Sequence, residues 1–159
     1  MANRKCVRKK RRSIVLAAGV FDVLHLGHVR FLEEAKRAGG CNAELVVIVA
    51  RDKTVEKRKG EKPVISENQR RALVESLKVV DEAILGYEEF NISKVIDKIK
   101  PDVIAVGHDQ RNISEDVRKA IAKGGLKVRV VKIGKFGEDE LDSSSEIKRK
   151  IIELYRRSP

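Results

Sequence analysis

The stretch "SIVLAAGVFDVLHLGH", residues 13–28, predicts a buried strand that runs into a polar turn. Its first seven residues are almost all apolar, which is typical of a strand buried on both faces. The rest brings Asp22, His25 and His28 close together. A turn that only reverses the chain needs turn-forming residues, not several ionisable side chains. We therefore interpret the turn as part of a functional site.

Four further runs resemble that first strand, and helical patterns separate them. The runs are 43–50, 82–86, 102–107 and 127–133. The apolar spacing of the segments between them fits amphipathic helices, as at Ile92, Val95, Ile96 and Ile99. Strict alternation of strands and helices predicts an α/β fold: a single doubly wound, Rossmann-like domain over 13–159 with a five-stranded parallel sheet.

Capping signals predict where several helices begin and end. Ser66 and Gln69 form a predicted capping box for a helix that follows them. Ser114 is predicted to cap another helix, which the Gly-Gly pair at 124–125 ends. A last helix is predicted over about 144–155.

The charge of the chain is unevenly distributed. Of the net charge of +11, residues 1–12 contribute +7, from seven Lys or Arg and no acid, so about +4 remains for the rest. We predict a flexible basic tail over 1–12, through which a nucleic acid could bind, and a basic nucleic-acid-binding module remains an alternative function. No stretch predicts a membrane span or a signal peptide, and Cys6 and Cys41 lack zinc-ligand spacing, so we expect a cytoplasmic protein with reduced thiols.

The turn after the first strand has the features of an anion site. In a doubly wound sheet, ligands bind beyond the carboxyl ends of the strands, where the strand order reverses. A helix that begins near Gly27 would place His28 in its first turn and His25 just before it. The free amides and the positive dipole end of that helix would then face the crevice, and phosphate is the anion that we expect there.

The sequence resembles the HxGH nucleotidyltransferase, or cytidylyltransferase-like, family. The first motif of that family is matched by Gly19, Phe21, Asp22, His25, Gly27 and His28. Residues 50–86 are similar to its Lys-rich loop and following helix, "VGHDQ" at 106–110 to its Gly-x-Asp segment, and "SSSEIKRKI" at 143–151 to its last motif.

The resemblance implies transfer of a nucleotidyl group, in which a phosphate monoester attacks the α-phosphorus of a nucleoside triphosphate and expels pyrophosphate. It assigns catalysis to His25, His28, Lys57 and Lys59, with the lysines closing from a mobile loop, and it implies a Mg²⁺ requirement. Asp22 would support either the metal ion or the loop itself. The implied nucleotide-binding residues are Gly19, Val20, Phe21, Asp22, His25, Leu26, Gly27, His28, Asp109, Ser143, Ser144 and Ser145.

Within the family, 50–86 and the "SSSEIK" ending are most similar to archaeal members that adenylylate FMN, which implies ATP and FMN as substrates. Phe90, Phe136 or Tyr87 could provide a wall for the flavin ring. Cytidylyltransferases that use CTP and glycerol 3-phosphate are an alternative, although their last motif usually begins with Arg-Thr and this chain has "GEDELDSSS" there. Phosphopantetheine and sugar-phosphate nucleotidyltransferases also remain possible. Relatives are often dimers, so we expect a homodimer.

Overall fold

The computed structural model describes residues 11–89, 91–108, 110–135 and 143–156. Within them, five strands form one sheet in the order β3-β2-β1-β4-β5, and every neighbouring pair is parallel. The strands are β1 (Ile14–Gly19), β2 (Glu44–Val49), β3 (Glu82–Leu85), β4 (Val103–Gly107) and β5 (Arg129–Ile133). The predicted five-stranded parallel sheet is therefore confirmed.

Helices lie between and after the strands. They are α1 (Leu26–Ala38), α2 (Asp52–Lys59), α3 (Glu67–Glu75), α4 (Ile92–Ile99), α5 (Arg111–Gly124) and α6 (Ser144–Arg156). Among the described residues, no helix is both long enough and apolar enough to cross a membrane.

Both faces of the sheet are covered, because alternate residues of the central strands point to opposite sides. On one face, Val15 and Val47 belong to a buried cluster that includes Leu32 of α1 and Val74 of α3. On the other face, Leu16 of β1 belongs to a second cluster with residues of α4 and α5. Burial on both faces explains the unbroken apolar runs of β1, β2 and β4.

The sheet order reverses between β1 and β4, which lie side by side at its centre. Gln110, just after β4, links their carboxyl ends. Its side chain donates to the carbonyl of Ala18 at 2.9 Å and accepts from the amide of Gly107 at 3.1 Å. The turns after β1 and β4 therefore flank one crevice, as the sequence predicted.

Two capping predictions were wrong. The helix assigned to Ser114 begins three residues earlier, at Arg111, so Ser114 lies inside α5. Ser66 does occupy the N-cap position of α3, but its side chain makes no capping hydrogen bond. Instead, the carboxylate of Asp52 accepts from the Glu67 amide at 3.3 Å, and a charged acceptor makes a stronger bond than a hydroxyl. The Gly-Gly stop was right, since Gly125 ends α5 with a φ of 60°.

The Lys-rich segment at 57–59 is helical, not the loop that the sequence predicted. It forms the last turn of α2, and Gly60 ends that helix with a φ of 77°. Val55 is the buried residue of α2, and Lys57, Arg58 and Lys59 are exposed. The charge run concealed the helix because it leaves α2 almost no apolar face from which a period could be recognised.

Candidate active site

The turn between β1 and α1 has an unusual backbone. Phe21 and Val23 have positive φ angles of 55° and 48°. Residues other than glycine rarely adopt that conformation, which costs about 1–3 kcal/mol at each position and persists only where the surrounding structure enforces it. Gly19 makes room for the turn, because a Cβ atom there would lie 2.8 Å from the Phe21 ring. Strain of this kind is concentrated at binding and catalytic sites.

The turn places both histidines of the motif at the start of α1. His25 is the N-cap residue, while Leu26, Gly27 and His28 form the first turn. The two imidazole rings are stacked, with centroids 3.8 Å apart and planes inclined by 30°. The buried ring of Phe21 lies edge-on to His28 at 5.3 Å. His28 is therefore held between Phe21 and His25, beside the free amides of a helix N-terminus.

His28 is neutral near pH 7. Burial, the proximity of His25 and the charge of Lys59 lower its pKa from 6.5 to about 4, although Asp22 acts in the opposite direction. Its Nδ1 atom accepts from the His25 amide at 3.4 Å, which leaves the proton of the neutral ring on Nε2. His28 therefore offers a neutral N–H donor to an anion, and positive charge must come from other groups.

Asp22 holds the turn against two other segments. Its side chain is 6% exposed and lies 2.8 Å from Lys148 of α6, and its two oxygens accept from the amides of Val64 and Ile65, each at 3.0 Å. Burial alone would raise the pKa of Asp22, but Lys148 and the two amides outweigh it, and the net result is a lowered pKa. Of the two roles inferred for Asp22, these contacts favour support of the loop.

Arg70 is a site residue that sequence reasoning missed. Its side chain is fully buried, and it donates to the carbonyls of Ile65, Val20 and Ala50. The guanidinium also lies 2.6 Å from Asp52. Arg70 therefore joins the turns after β1 and β2, which are separate in the chain. The five donors of one guanidinium suit this task, and a lysine could not reach four acceptors.

Helix α2 is tied to α3 by reciprocal contacts between their first residues. Glu67 accepts from the Asp52 amide at 2.7 Å, while Asp52 accepts from the Glu67 amide. Lys59 lies one helical turn after the buried Val55, and its charge reaches His28. Lys57 is two residues after Val55, on the opposite side of the helix. Of the two lysines predicted to be catalytic, Lys59 is therefore the one whose charge acts on His28.

The three serines of the last motif have different environments. Ser143 caps α6 by accepting from the Glu146 amide at 3.2 Å. Ser144 donates a hydrogen bond to the carbonyl oxygen of Asp22, and Ser145 is exposed. The N-terminus of α6 therefore lies beside the histidine turn, where its free amides add a second anion-binding group.

Asp109, Phe90 and Phe136 lie outside the described residues. Of the three aromatic residues considered for a flavin wall, Tyr87 is described, and it is 42% exposed. It lines a cavity of about 210 Å³ with Glu88, Glu89, Asn91 and Lys94. Ligand pockets commonly measure about 300–1,000 Å³, so this cavity alone is too small for a flavin ring with its phosphate.

The described residues offer no group of three or more His, Cys, Asp or Glu that could hold a metal ion. Asp22, the carboxylate nearest the histidines by sequence, already binds Lys148 and two amides. These side chains do not fit a magnesium site built by the protein alone. Mg²⁺ often binds chiefly through substrate phosphates and water, so the ion would arrive with the nucleotide substrate.

Together, the doubly wound sheet and the paired histidines at its switch point define a nucleotide-binding α/β protein of the HxGH type. The cytidylyltransferase-like family model matches residues 16–150, and the chain belongs to that family.

Several relatives share most of their length with this chain. It is 53% identical to an FAD synthase of Ferroglobus placidus, with 88% of each protein covered. It is 48% identical to an FAD synthase of Methanobrevibacter smithii, covering 88% of this chain and 91% of the relative. A crystal structure of a Thermoplasma volcanium protein, described as a lipopolysaccharide core biosynthesis protein, is 45% identical with a TM-score of 0.71, covering 79% of this chain and 98% of that one.

Proposed function

We propose that the protein is an FMN adenylyltransferase, which converts FMN and ATP to FAD and pyrophosphate. Relatives named FAD synthase, 44–53% identical over most of the chain, support this choice of substrates. The observation that carries the chemistry is the stacked pair His25 and His28 at the N-terminus of α1, beside the switch point of the sheet.

The arrangement suits an in-line displacement at phosphorus. A phosphate oxygen of FMN forms the new bond to the α-phosphorus of ATP, and the bond to the bridging oxygen breaks as pyrophosphate leaves with its electron pair. The phosphate monoester is already an anion, so the reaction needs no protein nucleophile. What it needs is placement of the two anions and stabilisation of the charge that develops between them.

The histidines, Lys59 and the N-terminus of α6 would each contribute to placing the anions and stabilising that charge. The Nε2 proton of His28, together with His25, would donate to the α-phosphate as its charge increases. The exposed Lys59 supplies positive charge on the same side as His28. The exposed Ser145 and the free amides at the start of α6 would bind the β- and γ-phosphates. His28 is neutral before ATP binds, so an arriving phosphate has no counter-ion to displace from the imidazole. Once the phosphate is bound, its negative charge raises the pKa of His28.

The decisive experiment offers the purified protein each combination of nucleotide and acceptor. Mg²⁺ with ATP or CTP is incubated with FMN, glycerol 3-phosphate or phosphopantetheine, while pyrophosphate is assayed and FAD is separated by chromatography. We expect FAD and pyrophosphate in equal amounts from ATP and FMN. The variant H28A is the control for a contaminating enzyme, and the product should be lost with it.

Two results would change this proposal. Product from CTP with glycerol 3-phosphate alone would replace the substrates and leave the site intact. No product from any pair would refute nucleotidyl transfer, and salt-dependent binding of RNA through the basic residues would then become the leading function.

We infer a cytoplasmic protein, and the exposed free thiol of Cys41 suits a reducing compartment. We also propose that it forms a homodimer and that residues 1–12 are dispensable for turnover. Light scattering, together with assays of a chain that begins at residue 13, tests both statements.

A further inference from the structure

We propose that Lys148 is a positioning residue, which fixes the N-terminus of α6 against the histidine turn and so sets the affinity for the nucleoside triphosphate. This inference rests on the proposed nucleotidyl transfer, but it does not depend on the acceptor. Lys148 lies within the last motif at 143–151, but it is not among the residues to which the sequence assigned a role.

The partner of Lys148 is a buried carboxylate in the strained turn. The ammonium group lies 2.8 Å from an oxygen of Asp22, whose side chain is 6% exposed, compared with 30% for Lys148. Asp22 stands between Phe21 and Val23, the two residues of the turn with positive φ angles. An ion pair at this point acts on the segment that orients both histidines.

Lys148 and Ser144 together make a two-point attachment. They are four residues apart and therefore lie on the same face of α6. Both bind residue 22, since Ser144 donates to its carbonyl oxygen and Lys148 pairs with its carboxylate. Two contacts to one residue fix both the position and the direction of the helix start.

Apolar packing does little to hold α6. None of its residues is fully buried: Ile147 is half-buried, and Ile151, Ile152, Leu154 and Tyr155 are 46–79% exposed. An element with so little buried surface depends on its polar contacts for its position. Loss of the Lys148 contact would also leave the Asp22 charge unneutralised next to an incoming triphosphate, so both effects weaken nucleotide binding.

The test compares Lys148→Met with Lys148→Arg and with the control Lys150→Met, which removes an exposed lysine two residues further along the same helix. Binding of Mg-ATP to the full chain is measured by calorimetry, and KM and kcat are measured separately. We expect Lys148→Met to raise the Kd and KM for ATP about tenfold with a smaller change in kcat, the size expected for a lost hydrogen bond to a charged group. Lys148→Arg should restore most of the affinity, and Lys150→Met should match the wild type.

A double-mutant cycle with Asp22→Asn shows whether Lys148 acts through Asp22. If it does, Lys148→Met adds little to the loss caused by Asp22→Asn. A Kd for ATP within twofold of the wild type in Lys148→Met overturns the proposal, and so does an undiminished effect in the Asp22→Asn background, which would mean that Lys148 binds the phosphates itself. If the wild type binds CTP but not ATP, the same variants are compared for their Kd for CTP, and the same results support or overturn the proposal. A wild type that binds neither refutes the proposed function as well.

Discussion

The histidine turn and helix α6 contribute to the same site but are held in opposite ways. The turn is enclosed: Phe21 is 2% exposed, the Asp22 side chain is 6% exposed, and the fully buried Arg70 donates to the carbonyl of Val20. Helix α6 has no buried residue and is joined to the turn through Asp22. The histidines, which we assign to the reacting phosphorus, are thus fixed before the substrate arrives. The N-terminus of α6, which we assign to the distal phosphates, is held in place mainly by polar contacts. Preorganisation is most valuable where charge develops in the transition state.

The largest expected effect is on turnover, from variants of the histidine pair. His28→Ala and His25→Ala should each lower kcat by about two to four orders of magnitude, because each removes a donor to the charge that develops on the α-phosphate. Steady-state kinetics measures the loss, and circular dichroism confirms the fold. Near-wild-type kcat in both variants would show that the enclosed turn is only a structural feature.

Arg70→Met should cause the largest loss of stability. It leaves three carbonyls without their buried donor and breaks the ion pair with Asp52, which is 31% exposed, so we expect a loss of about 3–5 kcal/mol, chiefly from the unsatisfied carbonyls. The control is Arg71→Met, one residue later, which loses an i,i+4 pair with Glu75 that is partly exposed and should cost less than about 1 kcal/mol. Urea unfolding measures both. Equal losses would contradict the view that Arg70 secures the turn.

As the pH falls, the titration of His28 should lower the free energy of unfolding before the titration of the carboxylates does. His28 titrates at about 4 in the folded protein and at about 6.5 when unfolded, so only the unfolded chain takes up this proton between those values. The free energy of unfolding should therefore fall by up to about 3 kcal/mol as the pH drops from 7 to 4. The lowered pKa values of Asp22, Glu67 and Asp81 add a further loss, which begins near the ordinary carboxyl values of 3.8 and 4.5 and therefore overlaps with His28 only at the acid end of that range.

His28→Gln separates this titration from every other one. Chemical unfolding at several pH values should show that most of the slope between pH 6.5 and 4 is lost in His28→Gln and kept in His108→Gln, which changes an exposed histidine. An unchanged slope in His28→Gln would place the acid sensitivity elsewhere in the molecule.

The smallest expected effect distinguishes the two lysines of α2. Lys59→Ala should lower kcat/KM about tenfold, because its charge acts at His28, whereas Lys57→Ala on the opposite side should change it less than threefold. Neither exposed residue should alter the unfolding midpoint. The opposite ranking would mean that α2 turns or unwinds when nucleotide binds.

Much of the fold is determined by the sequence itself. Buried strands and amphipathic helices follow from local periodicity, because the spacing of apolar residues reports which face of an element is buried. The histidine turn was recognisable for a similar reason: Gly19, Phe21, Asp22, His25, Gly27 and His28 are neighbours in the chain, and their spacing is fixed by one strand-to-helix connection. The last helix and the Gly-Gly stop were also local signals.

The contacts that hold the site together were decided only by the tertiary structure. Arg70 is 50 residues from Val20, Lys148 is more than 120 from Asp22, and Gln110 is 92 from Ala18. In the sequence, Arg70 and Lys148 lie in charged segments that are typical of solvent-exposed helix faces. Their roles follow from which segments the parallel sheet brings together, and from a buried interior that makes each carbonyl and carboxylate require a partner. The spacing of apolar residues along one element does not show which buried acceptor needs a donor, because the acceptor and its donor lie on different elements.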